Sequence, residues 1–189
     1  MRISYVPNPP PPSSDEDETI LKRIQARRAP HGLQSLDLAL LHSFPIADGW
    51  NSFLGAIRTK TSVDDDLREL AICRIAICNK AWYEWIHHSP LARQSGVSDA
   101  SLDAIKKDVL DERPEALSAK QWAVLLYTDE ITRTVQVKDK TFENLNKFFD
   151  EKGIVELTAT IACYNCVSRF QVALNVGETN GAMPDVVSG

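Results

Sequence analysis

The stretch RELAICRIAICNKAWYEWIHH, residues 68–88, decides the fold of this chain. Between residues 70 and 77 the apolar side chains cover more than one face of a helix, and such a helix is buried on several sides. A second segment, residues 154–174, has the same character. We expect these two helices to form the centre of the molecule. Their polar residues are therefore informative, because burying an unpaired polar group is costly.

The rest of the chain also predicts helices. Ser98 and Ser118 precede helical patterns in the position of N-caps, and Gly96 and Gly177 stand where helices would end. The only strand-like run, TVQV, is too short to build a sheet. The sequence therefore predicts an all-α, single-domain bundle of about seven to nine helices.

The two ends of the chain differ from its middle. Residues 1–18 form a Pro-rich and then acidic arm, in which Pro9–Pro12 favour polyproline II over regular secondary structure. If the arm is ordered, we expect Ile3 and Tyr5 to supply its apolar contacts. The predicted helical domain covers residues 19–177, and residues 178–189 form a C-terminal tail.

Charge and hydropathy restrict the class of partner. The net charge of −5 provides no basic field to attract phosphates, so we expect no nucleic-acid binding. No apolar run reaches the roughly 18–20 residues that span a bilayer, and the N-terminus lacks the apolar core of a secretory signal. We therefore expect a cytoplasmic protein that acts away from membranes.

Four cysteines lie in apolar, helical segments, which suits buried thiols in a reducing compartment: Cys73, Cys78, Cys163 and Cys166. The last two form a C-x-x-C. A redox pair usually sits at an exposed helix start, whereas this pair falls inside a long apolar helix. We expect all four thiols to be reduced, largely buried and unreactive.

The acid–base candidates lie in the second half of the deciding stretch. Glu84 and His88 are four residues apart and share a helix face, so a carboxylate stands beside an imidazole. Glu69 would lie about 60° away on an unbroken helix, although Asn79-Lys80 could interrupt it. Trp82 and Trp85 would form apolar walls. The alternative is a surface Glu–His pair of little energetic weight.

A metal site is not predicted here. His87 and His88 are adjacent and point about 100° apart, so they cannot share one helix face. Two imidazoles and one carboxylate at this spacing match no zinc pattern.

With these residues in view, the chain resembles the carboxymuconolactone decarboxylase and alkylhydroperoxidase AhpD-like family over most of residues 20–177. Peroxidase-type members of that family carry the pattern E-x11-C-x2-C-x3-H. The corresponding residues here are Glu69, Ala81, Glu84 and His88. The segment YNCVSRFQVALNVG is similar to the family's C-terminal helix, in which Asn165 and Arg169 match commonly seen residues.

The departure from the motif matters for function, because both redox cysteines are missing. The Glu84/His88 combination resembles the decarboxylase branch, which uses no cofactor. The resemblance implies an assembly of trimers or hexamers with the site near a subunit interface. It also implies a lyase or isomerase acting on a small cyclic lactone or oxo acid.

The roles of the remaining candidates follow from that reaction. Glu69, Glu84 and His88 would be catalytic, and Asn165 and the two tryptophans would contact the substrate. Arg74 or Arg169 would bind a substrate carboxylate, or else form a structural salt bridge with Glu69. Two other functions stay open: an AhpD-type thiol oxidoreductase using Cys163 and Cys166, and a non-catalytic oligomeric member of the family.

Overall fold

The computed structural model describes residues 1–181 and 183, and within this part of the chain it is all helical. The all-α prediction is confirmed. A short 3-10 helix at Val176–Glu178 follows nine α-helices: α1 Asp15–Arg28, α2 Ser35–Leu40, α3 Phe44–Thr59, α4 Asp65–Asn79, α5 Trp82–Gln94, α6 Asp99–Ala104, α7 Ala119–Thr134, α8 Asp139–Leu145 and α9 Glu151–Leu174.

The residues group into two compact units. The first unit comprises Met1–Thr61 and Leu174–Glu178, and the second comprises Ser62–Ala173 and the described residues from Thr179 onward. The predicted division into arm, domain and tail stays a prediction, and most of the tail lies outside the described residues.

In the first unit, residues 1–14 contain neither helix nor strand. Helix α1 begins at Asp15, with the Ser14 side chain accepting a hydrogen bond from the Asp17 amide. The acidic run that we assigned to the arm is therefore wrongly placed. Its four acids form the first turn of α1, where they interact favourably with the helix dipole. The arm's Tyr5 hydroxyl accepts a hydrogen bond from the Gly177 amide at 2.8 Å.

The second unit is built around α4, which packs against α5 and α7. Ten consecutive residues of α4, from Leu67 to Ala76, are buried. Lys80 takes the left-handed conformation with φ of 52° and ends the helix, so α4 and α5 are separate helices rather than one. Trp85 and Leu102 belong to the apolar core that covers α4. Among the described residues, no helix combines the length and apolarity needed to cross a bilayer.

Candidate functional site

Glu69 and His88 form a buried acid–base contact in the core of the second unit. Glu69 lies on α4 and His88 on α5, and Glu69 Oε2 is 2.6 Å from His88 Nδ1. Their side chains are only 4% and 9% exposed, so little water competes for this bond. A neutral imidazole that donates from Nδ1 keeps Nε2 as its proton acceptor. The Tyr164 ring of α9 meets the His88 ring edge-on, with centroids 5.0 Å apart.

Glu84 and His88 were expected to form a hydrogen-bonded or near-contact couple, and among the described residues the hydrogen bond between them is absent. Both carboxyl oxygens of Glu84 are buried and, among the described residues, have no hydrogen-bond partner. The spacing on α5 does place both residues on one side of the helix. However, α4 packs across that helix and brings Glu69 to the imidazole, which a pattern within one helix cannot reveal.

Glu84 is a buried acid whose surroundings favour its neutral form. Burial, followed by the nearby charge of Glu69, raises the pKa of the Glu84 carboxyl well above its ordinary value. In the neutral form this carboxyl can donate a hydrogen bond. The second unit thus holds two carboxyl groups in different environments, one bonded to an imidazole and one without a partner.

Arg68 is the residue that sequence reasoning missed. Its Nε lies 3.4 Å from Glu69 Oε1, and its Nη1 lies 2.9 Å from Asp65 Oδ1. Glu69 therefore bridges a guanidinium and an imidazole, and we call Arg68, Glu69 and His88 the Glu69 cluster. Adjacent helix residues do not normally face each other, so the sequence gave no reason to pair Arg68 with Glu69.

Arg74 is engaged in a structural network, so its predicted binding of a substrate carboxylate has no geometric support. Its side chain is fully buried and pairs with Asp129, with Nε 2.8 Å from the carboxylate. The rest of the guanidinium donates to three backbone carbonyls: Ile105, Lys107 and Asp108. All of its donors are engaged, so Arg74 fastens the segment after α6 to α4.

Asn165 and Arg169 lie in a second polar network. Asn165 Nδ2 donates to Thr132 Oγ1 at 2.9 Å, and its Oδ1 accepts from Asn79 Nδ2 at 3.2 Å. Arg169 is exposed and donates to the Asn165 side chain and carbonyl. None of these bonds goes to the Glu69 cluster. Substrate binding by either residue stays a prediction without direct geometric support.

The two tryptophans belong to the apolar core. Trp82 Nε1 donates to the Gly181 carbonyl at 2.9 Å, and Trp85 is completely buried. The Lys106 ammonium lies 5.7 Å from the centre of the Trp85 ring, within the range of a cation–π interaction. Both rings pack in the same core as Leu70. Their role as walls of a substrate pocket stays a prediction.

The four cysteines are free. Cys73 and Cys163 are buried and Cys78 is half-buried, but Cys166 is exposed, so the prediction of general burial is wrong there. Burial and the neighbouring Cys166 raise the pKa of the Cys163 thiol to about 12. A thiol with this pKa provides almost no thiolate at neutral pH. Among the described residues, no three metal-ligating side chains gather into a site.

The fold and the buried acid–base cluster define an all-α protein of AhpD-like architecture. The model of the carboxymuconolactone decarboxylase family matches residues 45–124, which include α4, α5 and the whole Glu69 cluster. Over this stretch the chain is similar to that family, and its fold is the AhpD-like fold of the solved structures below. No curated protein sequence matches it.

Solved structures show the same fold at low sequence identity. An uncharacterized peroxidase-related protein from Silicibacter sp. TM1040 is 16% identical, with a TM-score of 0.70 and 92% of each chain covered. A putative antioxidant defence protein AhpD from Agrobacterium tumefaciens is 20% identical, with a TM-score of 0.65, covering 76% of this chain and 94% of that one. The debrominase Bmp8, solved with 2,3,4-tribromopyrrole, is 14% identical, with a TM-score of 0.69 and coverages of 93% and 91%.

Proposed function

We propose that this protein is a cofactor-independent acid–base enzyme, a lyase or isomerase that acts on a small cyclic lactone or oxo acid. The observation that carries the proposal is the buried 2.6 Å contact between Glu69 and His88. A carboxylate on Nδ1 fixes the imidazole tautomer and stabilises the imidazolium. The similarity to the carboxymuconolactone decarboxylase family over residues 45–124 supports a reaction without redox chemistry at this position, because Ala81 and Glu84 stand where peroxidase-type members carry cysteines.

A decarboxylation illustrates the chemistry that this cluster would perform. The bond between carbon and the leaving carboxylate breaks, and its electron pair is delocalised as a dienolate onto the lactone carbonyl. His88, as imidazolium, then delivers its Nε2 proton to carbon while its Nδ1 proton stays on the ring, hydrogen-bonded to the Glu69 carboxylate. Water restores the proton to His88. An isomerase would use the same steps, with proton removal in place of carbon dioxide loss.

Glu84 would assist at the lactone carbonyl oxygen, on which the negative charge of the dienolate develops. Because its carboxyl is neutral, it can donate a hydrogen bond to the oxygen on which the dienolate charge develops. An ionised carboxylate in the same place would repel that charge. In this proposal Glu69 orients the imidazole of His88, and Glu84 donates a hydrogen bond to the oxyanion.

The alternative functions have weaker support. A thiol oxidoreductase would need a thiolate, and burial of Cys163 opposes one. A role in assembly alone gives no reason to bury the unpartnered Glu84 carboxyl, which is costly. Assembly into trimers or hexamers and a cytoplasmic location stay predictions.

The proposal is tested by product analysis in heavy water. The protein is incubated with a panel of carboxylated butenolides, including 4-carboxymuconolactone, after treatment with a chelator and with iodoacetamide. We expect carbon dioxide release, or a shifted double bond, with one deuterium placed on product carbon. Turnover that requires a free thiol or a peroxide would contradict the proposal.

A further inference from the structure

We propose that Arg68 is the docking point for a substrate carboxylate that survives the reaction, so that the enzyme selects acids over their neutral analogues. This inference rests on the proposed function, since it places the anion beside the acid–base pair of that reaction. It replaces Arg74 and Arg169 as the residues that would bind a carboxylate.

Arg68 lies close to His88, on the other side of the Glu69 carboxylate. Arg68 Nε and His88 Nδ1 contact the two oxygens of the same Glu69 carboxylate, at 3.4 Å and 2.6 Å. The guanidinium and the imidazole are therefore separated by little more than one carboxylate group, which suits a small acid that bridges them. Their side chains are 11% and 9% exposed, whereas Glu84 is 1% exposed, so solvent reaches the cluster at Arg68 and His88.

Arg68 also binds the carboxylate of Asp65, which a substrate carboxylate can displace. Its Nη1 pairs with Asp65, whose side chain is 74% exposed. Exposed ion pairs contribute little free energy, so an incoming carboxylate can replace Asp65 at small cost. The planar guanidinium also suits this exchange, because it matches a carboxylate with two parallel donors.

The charges at the start of α4 also favour Arg68 as the site for an anion. The other acids at the start of α4 are already engaged, Asp64 with the Lys120 ammonium and Asp66 with the Gln121 amide. Those acids, Asp65 and Glu69 together repel an anion, and the Arg68 guanidinium, in contact with Glu69, opposes this repulsion. Arg68 therefore favours the approach of an acidic substrate to His88.

The identity of the docked group follows from the chemistry. A cation on the leaving carboxylate would stabilise the ground state and oppose carbon dioxide loss. The carboxylate on Arg68 must therefore be one that the product retains. For a decarboxylation this means a diacid, and for an isomerisation a monoacid is enough.

A binding experiment tests this without requiring turnover. The probes are 2-furoate and its neutral analogue 2-furamide, measured by titration calorimetry at low salt. We expect the wild-type protein to bind 2-furoate roughly tenfold more tightly than 2-furamide. Arg68→Gln should abolish this preference, and Arg68→Lys should restore part of it.

A matched pair of variants, Asp65→Asn and Asp64→Asn, tests the proposal even if Arg68→Gln fails to fold. Asp65→Asn removes the competing carboxylate and should tighten 2-furoate binding about threefold, whereas Asp64→Asn, which removes an equal charge next to it, should change binding less. Equal affinity for both probes, or an Arg68→Gln variant with an unchanged preference, would overturn the proposal. His88→Ala should keep the preference, so a failure of the proposed catalysis is distinguishable from a failure of docking.

Discussion

Glu69 Oε2 lies 2.6 Å from His88 Nδ1, although the two residues are 19 positions apart in the chain. The contact exists because α4 ends at Lys80 and α5 packs back against it. The acid and the imidazole thus belong to two helices, and their distance depends on how those helices pack.

The first prediction concerns the tautomer of His88. Nitrogen-15 NMR of the wild-type protein should show the neutral His88 ring protonated at Nδ1, because the Glu69 carboxylate accepts that proton. Glu69→Gln should weaken this preference, and Glu84→Gln should leave it nearly unchanged. A ring protonated at Nε2 in the wild type would contradict the geometry.

The second prediction concerns Glu84 and the pH dependence of stability. Its folded pKa lies well above the unfolded value, so the folded protein binds the Glu84 proton more tightly. As pH rises above about 4.5, the unfolded chain loses this proton first, and Glu84 lowers the free energy of unfolding by at most about 1.4 kcal/mol per pH unit. The decline continues until pH reaches the folded pKa.

Denaturant unfolding of the wild type and Glu84→Gln at several pH values measures this effect. The variant should lack the decline, so the difference between the two proteins should grow with pH. Glu156→Gln is the control of opposite sign, because hydrogen bonds from Ser62 hold the pKa of the Glu156 carboxyl below its usual value. Its stability deficit should be complete above the usual pKa of a glutamate and should shrink as pH falls below that value toward the lowered folded pKa. A flat difference curve for Glu84→Gln would show that Glu84 is ionised in the folded protein.

The third prediction concerns Arg74 and Arg169, to which the sequence analysis assigned the same alternative roles. Arg74→Ala should lower the free energy of unfolding by about 3–5 kcal/mol, because it removes a buried cation from Asp129 and three carbonyls, and only Asp129 and the Asp108 carbonyl keep a contact with Arg133. Arg169→Ala should cost about 1 kcal/mol or less, since Arg169 is exposed. Thermal and urea unfolding of both variants measures this. Equal, small losses would contradict the structural role of Arg74.

The fourth prediction concerns thiol reactivity. Because Cys166 is exposed, it should react first with a thiol reagent, and Cys163 should react far more slowly. Mass spectrometry of briefly alkylated, native protein checks this order. Cys166→Ser should keep the proposed activity. Loss of activity on that substitution would favour a thiol mechanism.

Much of the fold could be predicted from the sequence because its signals are local. Apolar periodicity marks α4 and α9, and Ser98 and Ser118 cap their helices as expected, with their side chains accepting from the amides of Ser101 and Gln121. The predicted arm extended too far, to residue 18, because an acidic run is compatible both with a solvated arm and with the first turn of a helix.

The site could be predicted only in part, because its contacts join different helices. The spacing of Glu84 and His88 indicated a pair within α5, whereas tertiary packing brought Glu69 to His88, and Arg68 contacts its neighbour Glu69 within α4. Likewise, nothing local shows that Arg74 is engaged by carbonyls 31 to 34 residues away. Residue types therefore identified Glu69 and His88 but not Arg68, and packing between helices decided the partner of His88.

The most direct test of the central claim is turnover of His88→Ala and Glu69→Gln beside His87→Ala, on the butenolide acid that the wild type converts fastest. His87 is the matched control, because it neighbours His88 but is exposed and bonds to the Tyr83 carbonyl. We predict that His88→Ala and Glu69→Gln each lower kcat by roughly 10²–10⁴ while His87→Ala stays near the wild-type value. Wild-type turnover in His88→Ala would contradict the account.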